Sequence, residues 1–438
     1  MNLDEPYVRG DREIARAATL LSFAVRNYLR SLDPNLSREV YVLEAGALLN
    51  SFGNGVVIPF LLIYLHNVRG IPFGLAGLAA AVQSTAALAS GFVAGTLSDR
   101  IGPKRVLLGA LVVMTVAFAL MPLVHQAWHA FAVYTLWGLG SGAFWPSQSA
   151  LLADLTPAPR RAQAYALQRV AMNVGVALGG AVAGLIASVA HPFTFTVLFL
   201  IDCATFLAYL AVVVRVHAPA RHAERPVGSW RSVARHRTFA AFTVLNALFM
   251  AAAMALMVEL LPAFAKNVTH VNEREVGIMF ALGSVAIVVL QLPVVKLAEG
   301  RRRMRGLALM GMLWALALMT VWAAGSWTRA TAAFAILCAA TVVFSIGECL
   351  HGAIHAPLSV DLAPPHLVGR YVALASISWQ VGWIVGPAGG GFLLQHRPLL
   401  LWPIAAAVNL VAASAALALE RRLPENVRIT PLPAGTAG

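Results

Sequence analysis

Charged side chains are scarce in this chain of 438 residues, where Asp, Glu, Lys and Arg together make up 12%. Soluble domains contain about 25% charged residues and roughly 45 to 50% apolar residues. This chain instead has 59% apolar residues. A globular core cannot bury that much apolar surface, so the composition excludes an ordinary water-soluble protein.

Cysteines are also few, and all three, Cys203, Cys338 and Cys349, lie within long apolar runs. None lies where an oxidising compartment could pair it, so we expect no disulfide. The chain has no phosphate-binding loop and no catalytic constellation with the spacing of a known chemistry. We therefore expect neither an enzyme nor ATP-driven work, and the sequence suggests no cofactor and no metal.

Apolar runs of about 20 residues recur along the whole chain, and a helix of that length crosses the roughly 30 Å of bilayer hydrocarbon. Twelve such spans are predicted, at residues 40–65, 73–97, 106–124, 130–153, 163–189, 193–215, 239–265, 275–298, 306–325, 330–356, 371–395 and 398–419. The predicted fold class is therefore an all-α membrane protein with twelve transmembrane helices.

The net charge of +13 could indicate a nucleic-acid partner, but the positions of the basic residues argue against it. With the N-terminus inside, 27 of the 32 Lys and Arg residues lie on the cytoplasmic side and five outside. Arg169, just inside span 5, is counted with the cytoplasmic loop that precedes it. This asymmetry fixes the orientation by the positive-inside rule. We expect a protein of the inner (cytoplasmic) membrane with both termini cytoplasmic and no nucleic-acid partner.

The sequence divides into two similar halves joined by a polar stretch. Gly175, Gly179 and Gly184 recur 207 residues later, and Gly77 and Asp99 align with Gly277 and Glu299 at an offset of 200. Each half is therefore a copy of one six-helix unit. The predicted organisation is a cytoplasmic tail at 1–39, bundles at 40–216 and 239–420, a cytoplasmic linker at 217–238 and a cytoplasmic tail at 421–438.

Within the N-terminal tail, leucines and Phe23 alternate with Arg16, Arg26 and Arg30. That pattern suits a helix lying on the inner membrane surface, although a loose tail fits it too. The same arginines interrupt any apolar core, so the segment is not a cleaved signal peptide.

The loop between spans 2 and 3 carries a glycine-framed group of charges. Its residues are Gly95, Asp99, Arg100, Gly102, Lys104 and Arg105. The pattern resembles the signature of the major facilitator superfamily at this position. The resemblance implies that Asp99 accepts from the positive N-terminal end of a helix in the other half and holds one conformation shut on the cytoplasmic side. Alternatively, the basic residues serve topology alone. In the corresponding loop of the second half, after span 8, the acidic residue Glu299 and several arginines are kept, but most of the glycines are lost.

Span 11 contains a glycine-proline pattern formed by Gly382, Gly386, Pro387, Gly390 and Gly391. It resembles the antiporter motif of the drug:proton exchangers, which those proteins usually carry in helix 5. Close helix packing through small residues, with a pivot, is the alternative reading. The arginine typical of helix 4 in that branch is absent, since Tyr134 stands there.

Four carboxylates fall within the spans, namely Glu44, Asp202, Glu259 and Glu348. A charge at the centre of a span costs roughly 2.5 to 3.5 kcal/mol on insertion scales, so each is expected to face a cavity or a partner. By resemblance, helices 1, 4, 7 and 10 line the central cavity. Asp202, in span 6, is then expected to have mainly a structural role.

Glu348 lies deepest, and His351 and His355 fall within about 60° of the same helix face. One interpretation is a proton-handling cluster, since imidazole titrates near neutral pH. Polar packing is a second, and a metal site with Cys349 is a third. We predict proton coupling at Glu348, with Glu44, Glu259, Asp202 and His351 as further candidates.

Amide and aromatic side chains on the predicted cavity helices are candidates for contact with a substrate. They are Asn50, Asn54, Tyr134, Trp137, Gln380 and Trp383. An apolar, aromatic cavity with few polar groups suits lipophilic or amphipathic ligands.

The resemblance implies a monomeric transporter of small molecules that exports such compounds in exchange for protons. Proton-coupled uptake or lipid transport on the same fold, and a non-transporting membrane receptor, remain alternatives.

Overall fold

The computed structural model describes residues 36–157, 160–217, 235–327, 330–364 and 367–430. Twelve helical spans account for nearly all of them. They are α1 (Arg38–Val68), α2 (Phe73–Ile101), α3 (Pro103–Leu123), α4 (Ala127–Leu155), α5 (Arg161–Ile186), α6 (Phe193–Arg215), α7 (Arg237–Asn267), α8 (Glu273–Ala298), α9 (Arg303–Trp327), α10 (Ala330–Asp361), α11 (Val368–His396) and α12 (Pro398–Glu420).

The all-helical prediction is confirmed, and helix ends differ from the predicted spans by a few residues. The largest extension is in α10, predicted to end at residue 356 and observed to end at Asp361. Hydropathy marks only the hydrocarbon-buried part of a helix, whereas the backbone stays helical into the headgroup region. Among the described residues, ten of the helices are long and apolar enough to cross a membrane. Glycine and polar residues lower the hydropathy of the other two, α4 and α11.

Two helices depart from regular α geometry. In α1 a 3₁₀ turn at Ile58–Phe60 and a π segment at Tyr64–Val68 interrupt the helix. In α7 two π segments follow one another, at Met250–Met254 and Leu256–Leu260. Such π segments occur often at functional sites, and the second contains Glu259.

The two sets of six helices contact each other mainly through two pairs, α2 with α11 and α5 with α8. At one end of the bundle Asn67 and Asn267 exchange two hydrogen bonds, of 2.7 and 3.1 Å. These residues are 200 apart, the same offset that aligns the two halves in the sequence. We call this the Asn67 end and the opposite one the Asp99 end.

Two further hydrogen bonds between the halves lie at the Asn67 end. The backbone N–H of Val189 donates to Glu273 over 3.0 Å, and that of Gly74 donates to the Gln395 side chain over 2.9 Å. With four hydrogen bonds joining the halves there, the structure shows a state closed at the Asn67 end.

Repeated glycines build both contacts between the halves. Gly77 of α2 lies against the Pro387 carbonyl and Gly391 of α11, and Gly277 of α8 lies against Gly180 and Gly184 of α5. A Cβ on Gly277 would be 2.5 Å from the Gly180 oxygen. Small residues let the backbones approach this closely. The contact of α2 with α11 and the contact of α5 with α8 correspond in the sequence repeat, since Gly77 and Gly277 differ by 200 and Gly184 and Gly391 by 207.

We therefore expect Gly277→Ala to disfavour the state that is closed at the Asn67 end. Overpacking a tight contact costs typically 1 to 3 kcal/mol, enough to change the ratio of two conformations several-fold. Cysteines replacing Asn67 and Asn267, in a background without the native cysteines, should crosslink less in this variant. Gly389→Ala is the matched control, because a Cβ there meets nothing within 4 Å. Equal crosslinking in both variants would show that the contact does not limit closure.

The C-terminal segment packs back onto the loop between α8 and α9. Gly300 and Thr430 are joined by a backbone hydrogen bond of 3.0 Å, and Arg303 donates its backbone N–H to Arg428 over 2.8 Å. The buried Arg303 side chain forms an ion pair with Asp361 at the end of α10. Residues 421–430 are thus an ordered part of the second half.

The rest of the predicted tails and the linker lie outside the described residues. These are residues 1–35, 218–234 and 431–438, so the surface helix predicted in the N-terminal tail is among them.

Candidate functional site

Arg169 of α5 makes a contact between the halves with α10. Its guanidinium lies over Gly352 of α10, and its two Nη atoms would be 2.7 and 2.8 Å from a Cβ at that position. A side chain at position 352 would therefore displace the guanidinium group. Glu348 lies one helical turn away on the same face of α10, and Arg169 acts on its carboxyl group electrostatically. A cation from one half thus faces an acid from the other.

Glu348 is half-buried and forms no hydrogen bond or ion pair within 4.0 Å with any described residue. The neighbouring helix α8 contributes an amide near this region, Gln291, which donates to the Cys349 carbonyl over 3.4 Å. A carboxyl group at the boundary between the halves that is not fixed by hydrogen bonds can change partners when the halves move.

The two histidines predicted beside Glu348 stack on each other. The rings of His351 and His355 are 4.7 Å apart and both are buried. His351 Nε2 lies 2.7 Å from the side-chain oxygen of Asn246 of α7, whose amide donates to Ser378 of α11 over 2.7 Å. This assigns the proton to Nε2 of His351. The network ties three helices of the second half together, one turn from Glu348.

The sequence interpretation missed Arg169, Asn246 and Ser378. Arg169 was counted with the basic residues of the preceding loop, yet it lies two turns inside α5. Asn246 is a polar residue in an apolar span, a signal that was applied to carboxylates and to the amides of spans 1 and 11 but not to span 7. Among the described residues, no group of three or more His, Cys, Asp or Glu side chains is placed to hold a metal ion.

The other three carboxylates lie apart from Glu348. Both oxygens of Glu44 are buried without a hydrogen-bond partner among the described residues, near the Tyr209 hydroxyl of α6. Asp202 is fully buried, accepts from Thr205 over 3.2 Å and packs against Gly53 of α1. Asn409, which follows Asp202 by the repeat offset of 207 residues, is also fully buried. That placement fits the structural role expected for Asp202.

Glu259 is buried in the second π segment of α7. It lies within electrostatic reach of the Tyr134 hydroxyl of α4, in the other half. Tyr134 is fully buried and its hydroxyl has no hydrogen-bond partner among the described residues. Glu259 and Tyr134 therefore lie on opposite sides of the boundary between the halves, closer to the Asn67 end than Glu348 is.

The remaining candidates for substrate contact have different surroundings. Trp137 packs edge-on against Phe118 and Tyr134, at ring distances of 5.3 and 5.4 Å, within the first half. Asn50 is buried with no partner for its side-chain oxygen among the described residues. The partly buried candidates are Asn54, Gln380 and Trp383. A role for any of them in substrate binding stays a prediction.

The signature loop lies open at the Asp99 end. Gly95, Asp99, Arg100 and Arg105 are exposed, and Asp99 has no hydrogen bond or ion pair with a described residue. Lys104 donates to the carbonyls of Val214 and Val216 at the end of α6, over 2.9 and 2.8 Å. The predicted clasp is therefore not formed in this state. A clasp that holds this end shut would form in the opposite conformation.

The glycine-proline pattern of α11 is a surface for close packing. Gly382 and Gly386 lie against Ala251 in the first π segment of α7. Gly390 lies against Leu256 and Leu260 of the second. With the contact of Gly391 to α2, these glycines connect the irregular part of α7 to the joint between the halves.

The fold and motifs agree with comparisons to known proteins. The sequence model of the Major Facilitator Superfamily matches residues 43–272 and 248–438. The chain belongs to this superfamily. It is similar to the uncharacterized MFS-type transporter YhjO of Bacillus subtilis, with 25% identity over 80% of this chain and 84% of the relative. It is also 25% identical to the multidrug resistance protein MdtH of Escherichia coli K12, over 83% of this chain and 89% of MdtH.

Among solved structures, a POT family transporter in complex with 5-aminolevulinic acid superimposes with a TM-score of 0.75. The identity is 12%, and the match covers 88% of this chain and 96% of that one. The superfamily member described here is therefore a multi-pass membrane transport protein and not an enzyme.

Proposed function

We propose that this transporter exports lipophilic or amphipathic small molecules in exchange for protons, and that Glu348 carries the proton. The supporting observation is the position of Glu348 at the boundary between the halves, facing Arg169 of the other half. A proton that binds or leaves there changes an interaction between the two moving bodies.

The mechanism follows from Coulomb attraction between these two side chains. Two unit charges about 4 Å apart interact by about 4 kcal/mol at an effective dielectric constant of about 20, and the energy falls in inverse proportion to their separation. An ionised Glu348 draws Arg169 and the first half toward α10, whereas a protonated Glu348 does not. A polar or cationic group of an amphipathic substrate in the cleft is attracted to the ionised Glu348, and a proton on Glu348 removes that attraction. Substrate and proton thus compete for one carboxylate, which is the requirement for exchange.

Export of lipophilic compounds is favoured by two observations. The candidate cavity residues are mostly aromatic or amide side chains within apolar helices, which suits such ligands. The similarity to MdtH, a multidrug resistance protein, extends over most of both chains.

We expect Arg169→Gln to slow gradient-driven transport strongly and Arg169→Lys to retain a large part of it. Lysine keeps the charge that attracts Glu348, although it lacks the planar guanidinium that fits over Gly352. Arg215→Gln is the matched control, since it removes an exposed charge at the same end of the bundle. The measurement is initial transport rate in proteoliposomes at a fixed pH gradient. Equal rates in Arg169→Gln and the control would remove Arg169 from the mechanism.

The proposed orientation places the Asp99 end and both termini in the cytoplasm, with the protein in the inner membrane. A cysteine replacing Ala127 should then react with an impermeant reagent in intact cells. One replacing Ala223, in the linker, should react only after permeabilisation. Labelling of Ala223→Cys in intact cells would contradict the orientation derived from the basic residues.

Proteoliposomes loaded with acid test the function itself. A panel of lipophilic cations, neutral drugs and lysolipids is added, and proton movement is followed with a pH-sensitive dye. Compound-evoked proton release supports exchange. Entry of protons together with the compound would instead support uptake. If no compound of the panel evoked proton movement, the non-transporting receptor would be favoured.

A further inference from the structure

A groove on the outer surface of the second half, at the Asp99 end, encloses a cavity of about 520 Å³. Leu297 of α8 and Leu309 of α9 form its walls, and Ile346 and Leu350 of α10 form its floor. Helix α9 packs on α10 and α12 of its own half, so the groove opens away from the first half. In a membrane this position faces lipid.

Three arginines stand at the mouth of this groove, Arg301, Arg302 and Arg305, and none of the described residues that line it is acidic. Glu420 of α12 forms an ion pair with Arg302 and lies 3.7 Å from Nε of Arg305. One carboxylate therefore contacts two of the three guanidinium groups, and no described carboxylate is in contact with that of Arg301. The Arg305 side chain is 66% exposed despite this contact, so a cationic surplus remains at the mouth.

The loop that carries the arginines is held in place on both sides. The Arg301 carbonyl accepts from the backbone N–H of Thr430 over 3.0 Å, and Arg302 and Ile429 form an antiparallel bridge. Beneath them Arg303 is buried against Asp361. A backbone held in this way reduces the conformational freedom that the loop loses when its arginines bind an anion. The mouth of the groove thus places cationic side chains on a fixed backbone beside an apolar channel.

We propose that this groove binds an anionic phospholipid of the inner leaflet. The phosphate contacts Arg301 and Arg305, and an acyl chain lies between Leu297 and Leu309. Guanidinium groups suit phosphate oxygens because they can donate two parallel hydrogen bonds. Basic pockets between transmembrane helices are known as headgroup sites. The helices end at this level, where headgroups lie. The proposal does not depend on the transported substrate or on the direction of transport.

Native mass spectrometry of the full-length protein in neutral detergent tests this, with phosphatidylglycerol and phosphatidylethanolamine of identical chains as probes. We expect phosphatidylglycerol to be retained preferentially. The double variant Arg301→Gln/Arg305→Gln should weaken its binding by roughly thirtyfold, as expected when two basic residues near an anionic lipid are removed. Arg421→Gln/Arg422→Gln is the matched control, removing two exposed charges at the same end outside the groove. It should bind like the parent.

A second variant tests the apolar channel while leaving every charge in place. Leu313→Trp, in the wall of the groove, should weaken binding of long-chain phosphatidylglycerol more than that of the dihexanoyl form. Inorganic phosphate should not displace the long-chain lipid at equal concentration. Equal retention of the two headgroups, equal loss in both arginine variants, or displacement by phosphate alone would overturn the proposal.

Discussion

Glu348→Gln is expected to abolish uphill transport while substrate still binds and moves downhill. A carboxyl group that carries one proton per cycle must be ionised in one state and neutral in the other, and glutamine remains neutral in both. Glutamine has nearly the same size, and Glu348 makes no hydrogen bond with a described residue, so little packing is lost. The accumulation ratio in proteoliposomes with an imposed pH gradient should fall to unity.

Three variants provide the comparison. Glu44→Gln and Glu259→Gln remove buried carboxyls that form no ion pair with Arg169 and should reduce accumulation less. Glu425→Gln removes a side chain that is 92% exposed in the C-terminal segment and should have no effect. Binding should lose its pH dependence only in Glu348→Gln. If that variant still accumulates substrate with an unchanged pH profile, the proton is carried by another group, and Glu44, Glu259 and Asp202 are to be tested in that order.

Asp99→Asn is expected to leave folding and insertion nearly intact and to reduce turnover strongly. In the state described here Asp99 is exposed, so the substitution removes nothing that stabilises this conformation. In the opposite state it removes an acceptor for a helix end, worth typically 0.3 to 1 kcal/mol and up to about 2 when partly buried. The variant should therefore favour the state open at the Asp99 end, with more crosslinking between cysteines at positions 67 and 267.

Glu299→Gln is the matched control for Asp99→Asn, because Glu299 is its sequence mate in the second half. The loop after Glu299 is held by residues 428–430 and by the pair of Arg303 and Asp361. We expect a smaller shift in this variant. An unchanged ratio of the two conformations in Asp99→Asn, measured by crosslinking or by spin-label distances, would contradict the clasp.

The sequence predicted the fold in detail because the bilayer leaves few alternatives. Buried backbone groups in hydrocarbon must be satisfied within a helix, so a long apolar run has one main solution. The internal repeat also relates residues that are in contact in the structure. Asn67 and Asn267 are separated by the same offset of 200 that aligns Gly77 with Gly277, and their side chains are hydrogen-bonded across the halves. The sequence alone did not show that they touch.

The candidate site was predicted less completely, for reasons of geometry. Helical periodicity placed Glu348 and His351 on one face, but it cannot say which helix of the other half stands opposite. Arg169 was therefore counted only among the basic residues that set the membrane orientation, whereas in the structure it lies over Gly352. The hydrogen bond of Asn246 to His351 likewise depends on the packing of α7 against α10. That packing is a tertiary property, and no local pattern encodes it.

Reversing the pH gradient across proteoliposomes tests the exchange of substrate for protons most directly. For a compound that evokes proton movement, substrate flux is measured with the gradient in one direction and then in the other, at zero membrane potential. Exchange predicts that substrate always moves against the proton flow and that its direction reverses with the gradient. Substrate movement in the same direction as protons, or a flux indifferent to the gradient, would contradict the account.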